Sequence, residues 1–372
     1  METNPLTPFQ KRFAAVPDPR VVGRTDHKLF DILFIAASAF IAHCDDWEMV
    51  ALWAREREAW LRRFCELPEG IPSHDTFNRV FARLDPLALH TAFAEWMRDI
   101  QEITAGDVVA IDGKTLRRSF DRAPEGKGAI HMVSAWLGKN RMVLGQLKVE
   151  EKSNEITAIP ELLKLLEIKG ALITIDAMGC QKDIAGEIVA READYLLAVK
   201  ENQPTLAEDV KRTFEEATGG ILTYTATLDE GHGRVEMREY YQCMDLTGLR
   251  TAKEWPGLRS LGKVVSHRYA IDGSHSVETR YYISSLGRGV KRMARGIRAH
   301  WGIENQLHYV LDMSFDEDRI RVRKGHGAEN MGTVRHVAMN FLSQAKYLKV
   351  GIKNRRNLAA ISTDMLQKIL GF

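Results

Sequence analysis

Two short apolar runs each deliver an aspartate: Asp107-Val-Val-Ala-Ile-Asp112 and Ala171-Leu-Ile-Thr-Ile-Asp176. Runs of this length read as buried strands, which puts Asp112 and Asp176 side by side at one edge of a sheet. Two carboxylates there repel by on the order of several kcal/mol in a partly dehydrated site, so a divalent cation or a raised pKa must compensate. Oxygen ligands without a nearby Cys or paired His suit Mg²⁺ or Mn²⁺ rather than Zn²⁺. The competing reading makes each aspartate the cap of a following turn or helix. A third acidic group lies in the segment from His300 to Asp312, where a helix would line up Glu304, His308 and Asp312 at i, i+4 and i+8. Ile303, Leu307 and Leu311 would then pack on the neighbouring face. A polar stripe on a buried helix needs partners, and cations at the sheet edge would supply them; an exposed amphipathic helix is the alternative.

The elements that must position these groups follow from periodicity. From His27 to about Gln101 the apolar residues recur at helical spacing. Leu29 to Ala36 make one helix, Trp47 to Leu61 carry a second, Ser73 caps a short third through Phe81, and Pro86 opens a fourth. The third helix, beginning Ser73-His74-Asp75-Thr76 with Asn78 and Arg79, fits either a plain bundle or a helix-turn-helix-like unit. After Gly106 the order becomes β-β-β-α-β-α-β-α, a mixed sheet with helices. Four alternating strands with turns at Gly231-His232-Gly233 and Asp272-Gly273 occupy residues 219 to 287, and helical periodicity then resumes with a break near Phe315.

The chain has 372 residues, 52 Lys and Arg against 50 Asp and Glu, and a formal charge of +2 that hides a local asymmetry. Between Arg288 and Arg356 there are 15 basic and 6 acidic residues, a local +9 that leaves −7 elsewhere. Such a block is the electrostatic footprint of a polyanion partner or simply a solvated face. A second basic cluster, Lys114, Arg117, Arg118, Arg122 and Lys127, follows the first strand. The four cysteines, Cys44, Cys65, Cys180 and Cys243, form no CxxC pair and fit a reducing cytosol. The polar first 12 residues and an apolar stretch of only 13 residues, Phe30 to Ala42, predict a cytoplasmic protein with no membrane partner.

Six ordered motifs extend the argument: Ala110-Ile-Asp-Gly-Lys-Thr115, Ile173-Thr-Ile-Asp-Ala-Met178, Val199-Lys-Glu-Asn-Gln-Pro204, His232-Gly-Arg-Val-Glu236, Tyr282-Ile-Ser-Ser285 and His300-Trp-Gly-Ile-Glu-Asn305. Together they resemble the DDE transposases of bacterial insertion sequences, in particular the H-repeat-associated branch, from about Asp18 to Gln344. The resemblance implies an α/β fold: an RNase H-like catalytic core, a mixed sheet with helices, interrupted by a β-rich insertion and preceded by an all-helical N-terminal domain. Its segments would be 1–105 (helical, with DNA-end binding as candidate role), 106–218 (first part of the core), 219–287 (insertion), 288–350 (last part of the core) and 351–372 (basic helical tail). It implies that Asp112, Asp176 and Glu304 hold two Mg²⁺ ions, for which Mn²⁺ can substitute. Related transposases carry Tyr, Arg and Lys around the Glu; here Ile297, His300 and Leu311 stand at those positions, so those roles do not carry over.

The implied chemistry is phosphodiester hydrolysis followed by transesterification, with two metals about 3.5 to 4 Å apart. The implied partner is double-stranded DNA, both the terminal inverted repeats of the element and its target, with a homodimer in the DNA complex. Candidate DNA contacts are Lys114, Arg117, Lys200, Asn202, His232, Arg234, Arg298, His300, Trp301, Asn305, Arg319, Arg321, Arg323 and Lys324. Alternatives are Lys200 to Gln203 as a plain helix N-terminus, Trp301 as a core residue, and 319–324 as a phosphate track or a solvated run. Other enzyme templates fail: Gly113-Lys114-Thr115 lacks the first glycine of a phosphate loop, and HExxH, GxSxG and a helix-opening GxGxxG are absent. A catalytically silent DNA-binding relative, or a nuclease on the same fold, remains as the rival function.

Overall fold

The computed structural model describes residues 7–372 apart from 22, 24, 121–127, 151–153, 218, 219 and 232. The expected elements of His232, Arg122 and Lys127 therefore lie outside the described residues. The chain divides into two compact units, residues 1–102 with 113–154 and 304–372, and residues 103–112 with 155–303.

The first unit is built around helices α1 (Pro8–Phe13), α2 (Leu29–Ile41), α3 (Trp47–Glu56), α4 (Glu58–Leu61), α5 (His74–Arg83) and α6 (Pro86–Ile100). The expected long second helix is broken at Arg57, which separates α3 from α4. Side-chain caps open four of them: Thr7 accepts from the Gln10 amide, Asp46 from Met49, Ser73 from Thr76 and Asp85 from Leu87, with Pro86 at the first turn of α6. Strand β1 (Val108–Leu116) enters this unit at Gly113, and β2 (Ile130–Leu137) pairs antiparallel with β3 (Met142–Lys148).

The second unit carries α7 (Glu155–Leu165), β4 (Leu172–Ile175), α8 (Lys182–Ala190), β5 (Asp194–Val199), α9 (Pro204–Glu216), β6 (Leu222–Gly231), β7 (Arg234–Cys243), β8 (Ser260–Ala270), β9 (His275–Ser284) and α10 (Val290–Gly302). Its strands run β1-β4-β5-β9-β8-β7-β6. β1, β4 and β5 are parallel, whereas β9, β8, β7 and β6 form an antiparallel meander that joins β5 through Leu196↔Ser284 to Val199↔Tyr281. The β-rich block is thus a direct extension of the parallel sheet. Its base is held by α10, which buries Met293, Ala294 and Ile297 against Leu172, Leu196 and Tyr282. Gly296 permits that approach: a Cβ there would lie 2.7 Å from Leu172 Cδ2.

The remaining helices belong to the first unit: a π-helical turn over Ile303–His308, then α11 (Tyr309–Phe315), α12 (Gly327–Gln344), α13 (Ile352–Ile361) and α14 (Thr363–Leu370). Helix α2 is enclosed on every side and largely apolar, with the buried Asp31 carboxylate accepting from the Leu67 amide at 2.9 Å. It packs on α12, which also meets α5, α6 and β3. The N-terminal helices therefore share one core with β3 and α12. Among the described residues no helix is long and apolar enough to cross a membrane.

Helices α6 and α12 bury two imidazoles, His90 and His336, whose pKa values fall to about 3 and about 4, chiefly through desolvation. Both are neutral in the fold and charge on unfolding. Because their folded pKa values lie below the ordinary one, the stability they contribute is complete above about pH 6.5 and is lost as the pH falls towards 4. Urea unfolding between pH 4 and 6.5 should show this loss, and His336→Gln should flatten the slope by about one proton, or about 1.4 kcal/mol per pH unit.

Candidate active site

Parallel pairing fixes the geometry of the two aspartates. β1 and β4 align Val108↔Leu172, Val109↔Ile173, Ala110↔Thr174 and Ile111↔Ile175, so Asp112 and Asp176 each follow the last paired residue of adjacent strands. Backbones at that level lie about 4.8 Å apart. Val109 to Ile111 and Leu172 to Ile175 are buried while both aspartates are half-buried, so apolar packing holds the register; β4 ends before Asp176 as expected, whereas β1 runs on past Asp112 to Leu116.

Asp176 sits in a tight loop. Its Oδ1 accepts from the Met178 amide at 3.0 Å and the Gly179 amide at 3.4 Å. Burial raises its pKa and the charge of Glu155 adds to this, against the two amides and Lys200. Gly179 is required by space, since a Cβ would stand 2.3 Å from Ile175 Cγ2 on the preceding strand. The same loop is held from the β5–α9 connection: the Asn202 amide donates to Ala177 O at 2.6 Å and that of Gln203 to Cys180 O at 3.0 Å. Asn202 and Gln203 thus support the Asp176 loop through backbone carbonyls, while Lys200 is exposed.

On α10, His300 approaches Thr174 Oγ1 at 3.1 Å through Nδ1, and burial lowers its pKa to about 4, leaving it neutral. Trp301 is half-buried with the Arg280 guanidinium 4.4 Å from its ring centroid. Arg280 is marked by no sequence motif; strand pairing and helix packing bring it to this position. Arg234 pairs with the buried Glu236 at 2.7 Å, Arg238 binds the same carboxylate, and Arg298 lies 3.4 Å from Asp229. Much of the arginine charge on β7 and α10 is therefore met by acids on the same unit.

The helix expected to align Glu304, His308 and Asp312 departs from that pattern. Residues 303–308 form a π turn, whose i→i+5 bonding rephases the side chains. Ile303, Leu307 and Leu311 are buried as expected, Glu304 and Asn305 are exposed, and His308 and Asp312 are half-buried. Asp312 is engaged by Lys114 Nζ at 2.5 Å, and the same ammonium reaches the buried Glu317 at 2.7 Å. Arg335, 2% exposed, stands 3.6 Å from the other Glu317 oxygen. These cations hold the Glu317 carboxyl down at about 2 in spite of its burial. Lys114 is thus committed inside its unit, and Arg117 lies 3.2 Å from Asp318. Two arginines of the basic block, Arg335 and Arg356, are core residues; Arg356 donates to Phe40 O and to Asp45 at 2.6 Å. The count of +9 therefore overstates the charge offered to a partner.

Asp112 and Asp176 are brought together by register, and Glu304 belongs to the other unit. Among the described residues no group of three His, Cys, Asp or Glu is gathered closely enough to hold a metal. The donor chemistry of the aspartate pair nevertheless fits a hard divalent cation: both ligands are carboxylates, and the nearby Cys180 thiol is buried and pushed up to about 12.

A family model described as Transposase DDE domain matches residues 104–341, and one described as DDE_Tnp_1-associated matches residues 10–97. "Putative transposase YncI" of Escherichia coli O157:H7 is 44% identical over 364 residues, covering 96% of this chain and 93% of that protein. "H repeat-associated putative transposase YhhI" of Escherichia coli strain K12 is 39% identical over 376 residues, covering 98% of each.

Two substitutions test the packing. Lys114→Met removes the nearer of the two cations on the buried Glu317, leaving Arg335 alone, and should cost about 3 kcal/mol, read as a lowered urea midpoint. Gly179→Ala should displace the Asp176 loop, with a larger loss of Mg²⁺ affinity by calorimetry than of thermal stability.

Proposed function

Because the chain belongs to the DDE transposases, in their H-repeat branch, with the RNase H-like core of that domain, we propose that it cuts DNA at insertion-sequence ends and joins them to target DNA. The observation that carries this reading is the β1–β4 register, which supports Asp112 and Asp176 as a pair of metal-binding carboxylates, with Glu304 as the third. Two divalent cations held by these residues would activate a water or 3′-hydroxyl and stabilise the leaving oxyanion of an in-line displacement at phosphorus.

The protein's own groups orient the substrate. Asn202 and Gln203 hold the loop that carries Asp176. Exposed Lys200 and the Arg280–Trp301 pair offer a cation and a half-buried ring to the sugar-phosphate chain and an unstacked base. Neutral His300, held at Thr174, keeps a full positive charge out of the helix core beneath them. Arg319, Arg321, Arg323 and Lys324 extend phosphate binding along an irregular segment. A dimer on two DNA ends, acting in the cytoplasm on the nucleoid, completes the proposal.

The test is nicking of a duplex carrying a boundary of the repeat that flanks the gene. Wild type should nick it in Mg²⁺ or Mn²⁺ and not in chelator. Asp112→Asn, Asp176→Asn and Glu304→Gln should each lower the rate by at least 10³-fold while binding the duplex within a few-fold of wild type. Nicking by Asp112→Asn at the wild-type rate would remove that residue from the site, and cleavage without joining of a 3′-hydroxyl to a second duplex would make the protein a nuclease.

A further inference from the structure

The first unit contains a cleft of about 830 Å³ that brings together two features separated by 240 residues of chain. One wall is α5, through His74 and Asn78; the other is the segment Arg319 to Lys324. His74 and Asn78 stand at i, i+4 on the helix and share a face, while Phe77, Val80 and Phe81 bury the opposite one. The basic segment is not helical between residues 320 and 323, with Ile320 extended at φ −75° and ψ 134°. An extended chain advances about 3.3 Å per residue. Arg321 and Arg323 therefore lie about 6.6 Å apart along the segment and on one side of it.

The two walls are built as one piece. The His326 amide donates to Ala82 O, at the end of α5, at 3.0 Å. The Asn330 side-chain amide donates to Phe81 O at 2.8 Å and Leu84 O at 2.9 Å. Gly325 has φ +55°, and a Cβ there would stand 2.2 Å from Ala82 O, so only glycine brings the segment this close to the helix.

Acids on the cleft are largely engaged. Asp45 is held by Arg356, Asp46 by the Met49 amide at 2.8 Å, and Asp316 lies 3.5 Å from Arg319; Glu48 occupies the first turn of α3, where the helix N-terminus compensates its charge. Among the described residues no carboxylate lies within ion-pair distance of Arg321 or Lys324, and the buried Trp47 indole N–H, from a residue that also lines the cleft, has no acceptor.

We propose that this cleft is a sequence-reading site for double-stranded DNA, in which Asn78 and His74 address base edges in the major groove while Arg321 and Lys324 fix the helix on adjacent phosphates. The inference rests on the transposase reading for the identity of the duplex, and it adds the residues that choose the sequence. A carboxamide pairs with both major-groove groups of adenine, so Asn78 specifies an adenine, and His74 contributes at a neighbouring base pair. The phosphate contacts set register without sequence preference.

Fluorescence anisotropy tests the assignment, with the full chain titrated at several salt concentrations against a duplex carrying the gene-flanking repeat boundary and a shuffled duplex of the same composition. His74→Ala/Asn78→Ala should lower discrimination between the two duplexes at least about 10-fold with the salt slope unchanged. Arg321→Ala/Lys324→Ala should weaken both duplexes alike and reduce the slope by about one to two. Gly325→Ala should do both. Both His74 and Asn78 have solvent-accessible side chains, so their variant should melt as wild type does, and unchanged discrimination in it overturns the assignment even where Mg²⁺-dependent nicking is intact. Loss of discrimination in that variant, in a protein whose wild type fails to nick, supports the cleft while overturning the catalytic reading.

Discussion

The parallel alignment of β1 with β4 is the constraint on which the rest of the second unit depends. Four consecutive residue pairs, all apolar except Thr174, lock the two strands with their aspartates at one level. A slip by one residue would turn each buried side chain to the opposite face, so the register is held by the whole apolar core. Helix α10 reinforces it by packing on β4 and β5, which its glycine allows. Positioning of the acidic pair is thus a by-product of hydrophobic burial, and its electrostatic cost is paid by the same packing.

Local sequence made much of this readable. The runs ending in Asp112 and Asp176 read as buried strands from their length and β-branched content, although β1 continues past Asp112 to Leu116, and the four alternating segments after Gly220 read as antiparallel strands from their period-two patterning. Continuity of that meander with the parallel strands was not readable: the β5–β9 pairing joins residues more than 80 positions apart, and nothing in either strand names its neighbour. The break at Arg57 was also hidden, since both flanking helices keep the same apolar spacing.

The polar groups divide in a similar way. Lys114 reads as a free cation beside a catalytic motif because its two acceptors, Asp312 and Glu317, come from a distant acidic run. Arg335 and Arg356 count towards a basic surface until packing places them in the core. Charge composition therefore records how many cations a segment has, while tertiary contacts decide how many face water. The Asp176 loop has the opposite character: its local turn is legible from Asp176 and Gly179, but its support from Asn202 and Gln203 requires the strand order β4-β5.

The π turn over residues 303–308 amounts to one extra residue wound into an otherwise regular helix. Deleting one of its polar residues, such as Gln306, would therefore restore regular α winding while keeping the buried Ile303 and Leu307, because the excess residue is taken up within the turn itself.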